Sequence, residues 1–280
     1  MNRTYITATN TLSQLQKQMD VISNNIANVD TTGYKKRTAS FTDLLVQEFQ
    51  NQGDPANEVG RLTPNGIRQG SGAKLSQVQM VITQGSLKNT DRALDTAFTK
   101  EGQFYRVLVQ NENGSDIQYT RDGAFYLSPT GENEMLLVNS NGNQILDEND
   151  NPIIINGQAK EYQINENGSL LVYMNNGGQQ SFNLGVTRVD KPQFLEQKGN
   201  NLLGLPANMA ELNVTREDIL TDLTGIDRNQ ISIKQGALEQ SNVDLSKEMT
   251  DLIQVQRSYQ FQARSINLAD QMMGLVNGIR

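Results

Sequence analysis

YITATNTLSQLQKQMDVISNNIANV, residues 5–29, places apolar side chains at Tyr5, Ala8, Leu12, Leu15, Met19, Ile22, Ile26 and Val29. The steps between them alternate three and four without a break, which is the a/d pattern of a helix whose apolar stripe packs on another helix. The residues between are mostly Gln, Asn, Ser, Thr and Lys, so one narrow line carries nearly all the apolar surface. A helix of this length spans roughly 37 Å and is marginal alone in water; it needs a partner. Three Asn near its end, then Thr31-Thr32-Gly33-Tyr34, predict a helix stop followed by a tight turn.

A second helix is predicted near the other end. Gln235 to Asp244 leads into it, Asn242 or Asp244 can cap it, and Glu248 suits the positive end of its dipole. Leu245, Met249, Leu252, Tyr259, Ala263, Ile266 and Met273 lie near heptad positions, with Gln256 and Asp270 as polar interruptions. Leu268, Met272, Leu275 and Ile279 form a second, shifted line, so this helix is expected to meet neighbours on two sides. From periodicity alone, an intramolecular antiparallel pair and an intermolecular assembly fit the two helices about equally well.

Between them the period changes to two. Val78, Met80 and Ile82 alternate with polar residues, and Phe104–Val109, Met135–Val138, Ile153–Ile155, Tyr162–Ile164 and Ser169–Tyr173 read as further strands. Asn-Gly pairs at 113–114, 141–142, 156–157, 167–168 and 176–177 fall between or beside these runs and predict hairpins with type I′ turns. The expected fold is therefore α+β, a mainly antiparallel β domain at about 76–219 inserted between coiled-coil-forming helices in 1–34 and 243–280. Segments 35–75 and 220–242 read as connections. Phe41 to Phe49 fits helix or strand, and residues 50–74, rich in Gly, Asn, Gln and Pro, read as a loop that neighbours would have to order.

Composition narrows the chemistry. The 280 residues hold 24 basic and 31 acidic side chains, a net charge of −7, so no basic surplus points to nucleic acid. Cys and His are both absent, which removes disulfides, thiolate metal sites and the usual general base. No apolar leader core opens the chain and no run is long enough to span a bilayer, so no membrane insertion is expected. With 31 Asn and 28 Gln, the chain suits either a solvated, turn-rich β protein or a subunit packed against its own copies through polar faces. Asp147-Glu148-Asn149-Asp150-Asn151 offers oxygen ligands of the right hardness for Ca²⁺, as in a calcium-dependent adhesion module, but such a run is more often a solvated hairpin loop. The glycines of 66–72 miss the phosphate-loop spacing. No catalytic residue, cofactor or metal site is expected.

Both ends resemble a known family. Ser23-Asn24-Asn25-Ile26-Ala27-Asn28 followed by Thr32-Gly33-Tyr34-Lys35 is similar to the N-terminal signature of bacterial flagellar rod, hook and hook-associated proteins. Glu239-Gln240-Ser241-Asn242-Val243-Asp244-Leu245, then Glu248-Met249, Gln256-Arg257-Ser258-Tyr259 and Ala269-Asp270-Gln271-Met272, resembles the C-terminal one. The middle fits at Asp91–Asp95, Gly102, Phe104, Tyr119-Thr120-Arg121-Asp122-Gly123 and Gly199–Leu202, while Gln103 stands where the family usually has Gly-Phe before Phe104. Length and the 64–85 stretch look most like distal-rod proteins, with a proximal-rod or hook-type axial protein as the alternative. The resemblance implies a non-enzymatic subunit of a helical tube in the flagellar basal body, exported unfolded by the flagellar type III apparatus. Its partners would be further copies of itself and other rod and hook subunits. Leu12, Leu15, Met19, Ile22, Ile26, Val29, Leu252, Tyr259 and Ile266 would then carry assembly, and the motif residues Asn24, Asn25, Ala27, Asn28, Gly33, Tyr34, Ser241, Asn242, Val243, Asp244 and Arg257 would mark the family.

Overall fold

The computed structural model describes residues 2–43, 46–49, 67–70, 73–111, 114–131, 133–199 and 201–278. The loop expectation for 50–74 lies largely outside them. The chain is mixed α and β, with mainly antiparallel sheets and a helix at each end, and it divides into two compact units.

The first unit comprises Met1–Ile26, Arg37–Gln79 and Leu245–Arg280. It contains a helix over Asn2–Ala27, two residues shorter than the heptad line suggests because Val29 falls in the turn that ends it. The C-terminal helix runs from Leu245 to Gly278. Residues whose period left helix and strand open are extended: Arg37–Asp43 pairs with Ala73–Met80, and Val46–Phe49 pairs antiparallel with Ile67–Gly70. The Thr38, Phe41 and Thr42 side chains favour the pleated backbone. Two buried or half-buried amides stitch this unit together. Gln14 Oε1 accepts the Leu75 N–H at 2.8 Å. Asn25 Oδ1 accepts the Arg37 N–H at 2.9 Å, while its Nδ2 donates to the Arg37 carbonyl at 2.8 Å.

The second unit comprises Ala27–Lys36 and Met80–Asp244. Its main sheet has ten antiparallel strands, centred on Gln103–Asn111, which pairs with Gly114–Thr120, Gln144–Ile145 and Val186–Val189. A three-stranded meander, Ala159–Ile164, Ser169–Met174 and Gln179–Asn183, alternates buried and less buried positions along its middle strand. Strands continue beyond residue 219: Leu220–Asp222 joins the main sheet, Ile233–Gln235 pairs with Thr96–Phe98, and Ala237–Glu239 pairs with Leu87–Asn89. The core gathers Phe98, Tyr105 and Phe125, with ring centroids 4.3 Å and 5.0 Å apart. Leu137, Ile145 and Leu170 are among the aliphatics sealed around them.

Hairpins fall at the Asn-Gly pairs 141–142, 167–168 and 176–177. Asn156-Gly157 closes none, because it links Ile154–Asn156 of the main sheet to Ala159–Ile164 of the three-stranded one. None of the described Asn-Gly turns is type I′. That form needs left-handed backbone at both central residues, and Asn141, Asn156, Asn167 and Asn176 are absent from the residues with positive φ. Only the glycines turn left-handed. At 139–143, 165–169 and 174–178 the same two hydrogen bonds recur, one closing a turn onto the glycine N–H and one to the residue after it. Three-residue hairpins with a single left-handed glycine result, and Asn Oδ1 atoms brace the loops by accepting backbone N–H groups.

Candidate functional site

In the first unit the predicted seam of the N-terminal helix is mostly covered, as is the neighbouring line through Thr11, Gln14, Gln18 and Asn25. Ala8 and Ile22 are buried, Leu12, Leu15, Met19 and Ile26 half-buried, and Tyr5 is exposed. On the C-terminal helix, Leu252, Tyr259 and Ile266 share a half-buried face with Val255, which is 6 % exposed. Val255 is absent from the sequence reading, although it stands three residues past Leu252 and four before Tyr259, at a seam position. Glu248 heads the same face. It is 5 % exposed, and Asn25 Nδ2 donates to its Oε2 at 3.1 Å, so this carboxylate faces the N-terminal helix as well as its own helix dipole. Leu245 and Met249, read as seam positions, are exposed instead. A separate line of the helix lies open: Phe261 is 72 %, Leu268 60 %, Met272 55 % and Leu275 69 % exposed. Three of these four belong to the predicted second line. Asn24, Ala27, Asp244 and Arg257 also lie on exposed positions.

The second unit holds a buried junction made by three segments far apart in sequence. After the helix, Asn28 Oδ1 accepts the Thr31 hydroxyl at 3.2 Å, and the chain turns through Gly33 at φ +66°. The Gly33 N–H donates to the Glu239 carbonyl at 2.8 Å, and a Cβ at Gly33 would meet the Arg121 carbonyl carbon at 2.6 Å. No side chain fits there. Tyr34 is buried beside it, and half-buried Val29 precedes it. The Lys35 ammonium, 2 % exposed, donates to Glu239 Oε1 at 2.6 Å and to the Thr83 carbonyl at 2.7 Å. Glu239 Oε2 accepts from Arg121 Nε, and Glu239 Oε1 also accepts the Gly85 N–H at 2.8 Å. Arg121 completes its fork on the Gln103 and Lys100 carbonyls and lies over the Phe98 and Phe104 rings. Burial pulls the Lys35 ammonium down to about 8; the Arg121 charge adds to this and Glu239 opposes it.

Around this core the family-motif residues find backbone partners. Asn242 Oδ1 accepts the Lys36 N–H at 2.7 Å, and its Nδ2 donates to the Val81 and Thr83 carbonyls. Its amide is therefore spent on these connecting segments rather than on capping the following helix. Ser241 Oγ accepts the Val243 N–H at 3.4 Å. Asp122 accepts from the Thr32 and Ser140 hydroxyls, and burial raises its carboxyl above the usual range.

The acidic loop spends its carboxylates on the protein. Asp147 Oδ1 accepts the Asn149 and Asn151 N–H groups, Glu148 faces Asn183 and Arg228, and Asp150 pairs with Arg106 at 2.8 Å. Among the described residues no three carboxylates converge as a metal site, and no helix is long and apolar enough to cross a membrane.

Three family models match the chain. One described as flagella basal body rod protein covers residues 7–35, one described as flagellar hook protein FlgE/F/G D1 domain covers 107–172, and one described as flagellar basal body rod FlgEFG protein C-terminal covers 234–279. The chain is 44% identical over 284 residues to the flagellar hook-basal body complex protein FlhP of Bacillus subtilis, with 100% of both chains aligned. It is 31% identical over 290 residues to the flagellar basal-body rod protein FlgG of Borreliella burgdorferi, covering 100% of this chain and 99% of that one. Against FlgG of Agrobacterium fabrum it is 33% identical over 265 residues, covering 94% and 93%.

Proposed function

The chain belongs to the flagellar basal-body rod family, a structural component of the flagellum set in the cell envelope, and from this premise we propose that it is a distal-rod subunit that polymerises through its terminal helices. The observation that carries this is the pair of apolar lines on Leu245–Gly278, one half-buried and one open at Phe261, Leu268, Met272 and Leu275. A helix with two such faces fits a subunit that meets more than one neighbour. Coupled ordering and assembly follow. The exported chain arrives unfolded from the type III apparatus, and its helices gain stability as neighbouring copies cover them. In this scheme the helices Asn2–Ala27 and Leu245–Gly278 form the coiled-coil layer, and the β unit of 27–36 and 80–244 is inserted between them, taking in the 220–242 stretch that the sequence reads as a connection. Leu12, Leu15, Met19, Ile22, Ile26, Leu252, Tyr259 and Ile266 are the inward contacts.

The test replaces the chromosomal copy with Phe261→Ser/Leu268→Ser/Met272→Ser. The secreted subunit should remain detectable while filaments and swimming are lost. Normal motility in that strain would remove the assembly role of this face.

A further inference from the structure

The junction of Lys35, Arg121 and Glu239 joins three charged side chains from segments far apart in sequence. The two cations are fully buried or nearly so: the Arg121 side chain is 0 % exposed and that of Lys35 2 %. Among the described residues Glu239 is the one carboxylate within ion-pair distance of either. Glu101 acts on Lys35 only from farther away. Lys35 lies 204 positions before Glu239 and Arg121 lies 118 before it, so both cations precede their shared anion by more than a hundred positions. A buried charge whose partner is missing is strongly destabilising, whereas a satisfied one is near neutral. The same late segment brings more than charge. Ala237–Glu239 pairs with Leu87–Asn89, the Glu239 carbonyl receives Gly33, and its carboxylate receives Gly85.

We propose that Glu239 is the closing residue of the β unit: the strands up to Asp222 cannot seal over Lys35 and Arg121 until this carboxylate reaches them. A chain that is synthesised or threaded from its N-terminus therefore keeps the unit open until the segment around residue 239 is available. The N-terminal Thr-Gly-Tyr-Lys segment and the C-terminal Glu-Gln-Ser-Asn segment are then parts of one latch in the β unit, rather than extensions of the helices that flank them.

The test is pulse-labelled hydrogen exchange during refolding of the full chain. The Gly33 and Gly85 amides, which donate to Glu239, should gain protection in the same kinetic phase as the core amides of Arg106 and Leu146. Core protection in a phase clearly earlier than Gly33 and Gly85 would overturn the proposal. A second measurement compares full-chain variants. Glu239→Gln should melt on the order of 10 °C below the parent or fail to fold. Lys35→Met should reduce that effect, because one stranded cation is then removed. Melting of Glu239→Gln at the parent temperature, or additive losses in the double variant, would also overturn it.

Discussion

A single methyl group at residue 33 would touch the Arg121 carbonyl carbon at 2.6 Å, its oxygen at 2.7 Å and the Asp122 nitrogen at 2.7 Å, on a backbone already at φ +66°. All three are main-chain atoms of a packed strand end, so nothing cheap gives way. Gly33→Ala should destabilise the protein by about 2 kcal/mol or more, combining left-handed strain with the clash. Urea denaturation of the purified chain would read it, and an unchanged midpoint would refute the close approach. Thr-Thr-Gly marks this turn in the sequence, but the partner that makes glycine obligatory does not show there. Nor does any pattern link Lys35, Arg121 and Glu239. Each stands in a segment that resembles the family's signatures, yet their meeting depends on strands folded over more than a hundred residues.

At the scale of elements, the two terminal helices separate stability from assembly. Val255 lies in the covered face and Phe261 in the open one. Val255→Asp buries a charge that has no designed partner and should lower stability by about 3 kcal/mol or more. Phe261→Ser removes an exposed ring and should change monomer stability by no more than about 0.5 kcal/mol. Chemical denaturation of the two variants side by side checks the contrast; equal losses would mean that both faces are covered in the free chain. The heptad spacing of the N-terminal helix is plain in the sequence because its polar residues leave one stripe. The C-terminal helix is harder to read, since apolar residues occupy more than one face and spacing does not say which is covered. Three hairpin positions were legible from Asn-Gly, whereas the link at Asn156-Gly157 and the turn form were not. It depends on whether the ladder admits a bulged residue, which is settled by strand register.

For the whole molecule, the junction makes stability depend on pH. The Lys35 ammonium, which ordinarily titrates near 10.5, loses its proton at about 8 in the folded chain. Between those values the unfolded chain binds more protons than the folded one, so stability from this group rises with pH across the window. The gain should be on the order of 2 kcal/mol between pH 8 and 10, and should vanish in Lys35→Met. Urea unfolding of both proteins at stepped pH measures it. A constant difference between them over that window would show that Lys35 titrates normally. Asp122 acts with the same dependence on burial but the opposite sign. Its raised carboxyl pKa makes folding lose stability as pH climbs through the acidic range.

By itself, the sequence determined the helical ends, the antiparallel β middle, the places of three hairpins and the family, because each is written in local periodicity or short contiguous motifs. Tertiary structure alone decided which face of each helix is covered, that the helix-flanking motifs fold into the β unit, and that one carboxylate pairs with two buried cations. Those are outcomes of burial and long-range pairing. The energy of a charged or apolar side chain is set by what the fold places around it, and no neighbour in sequence supplies that.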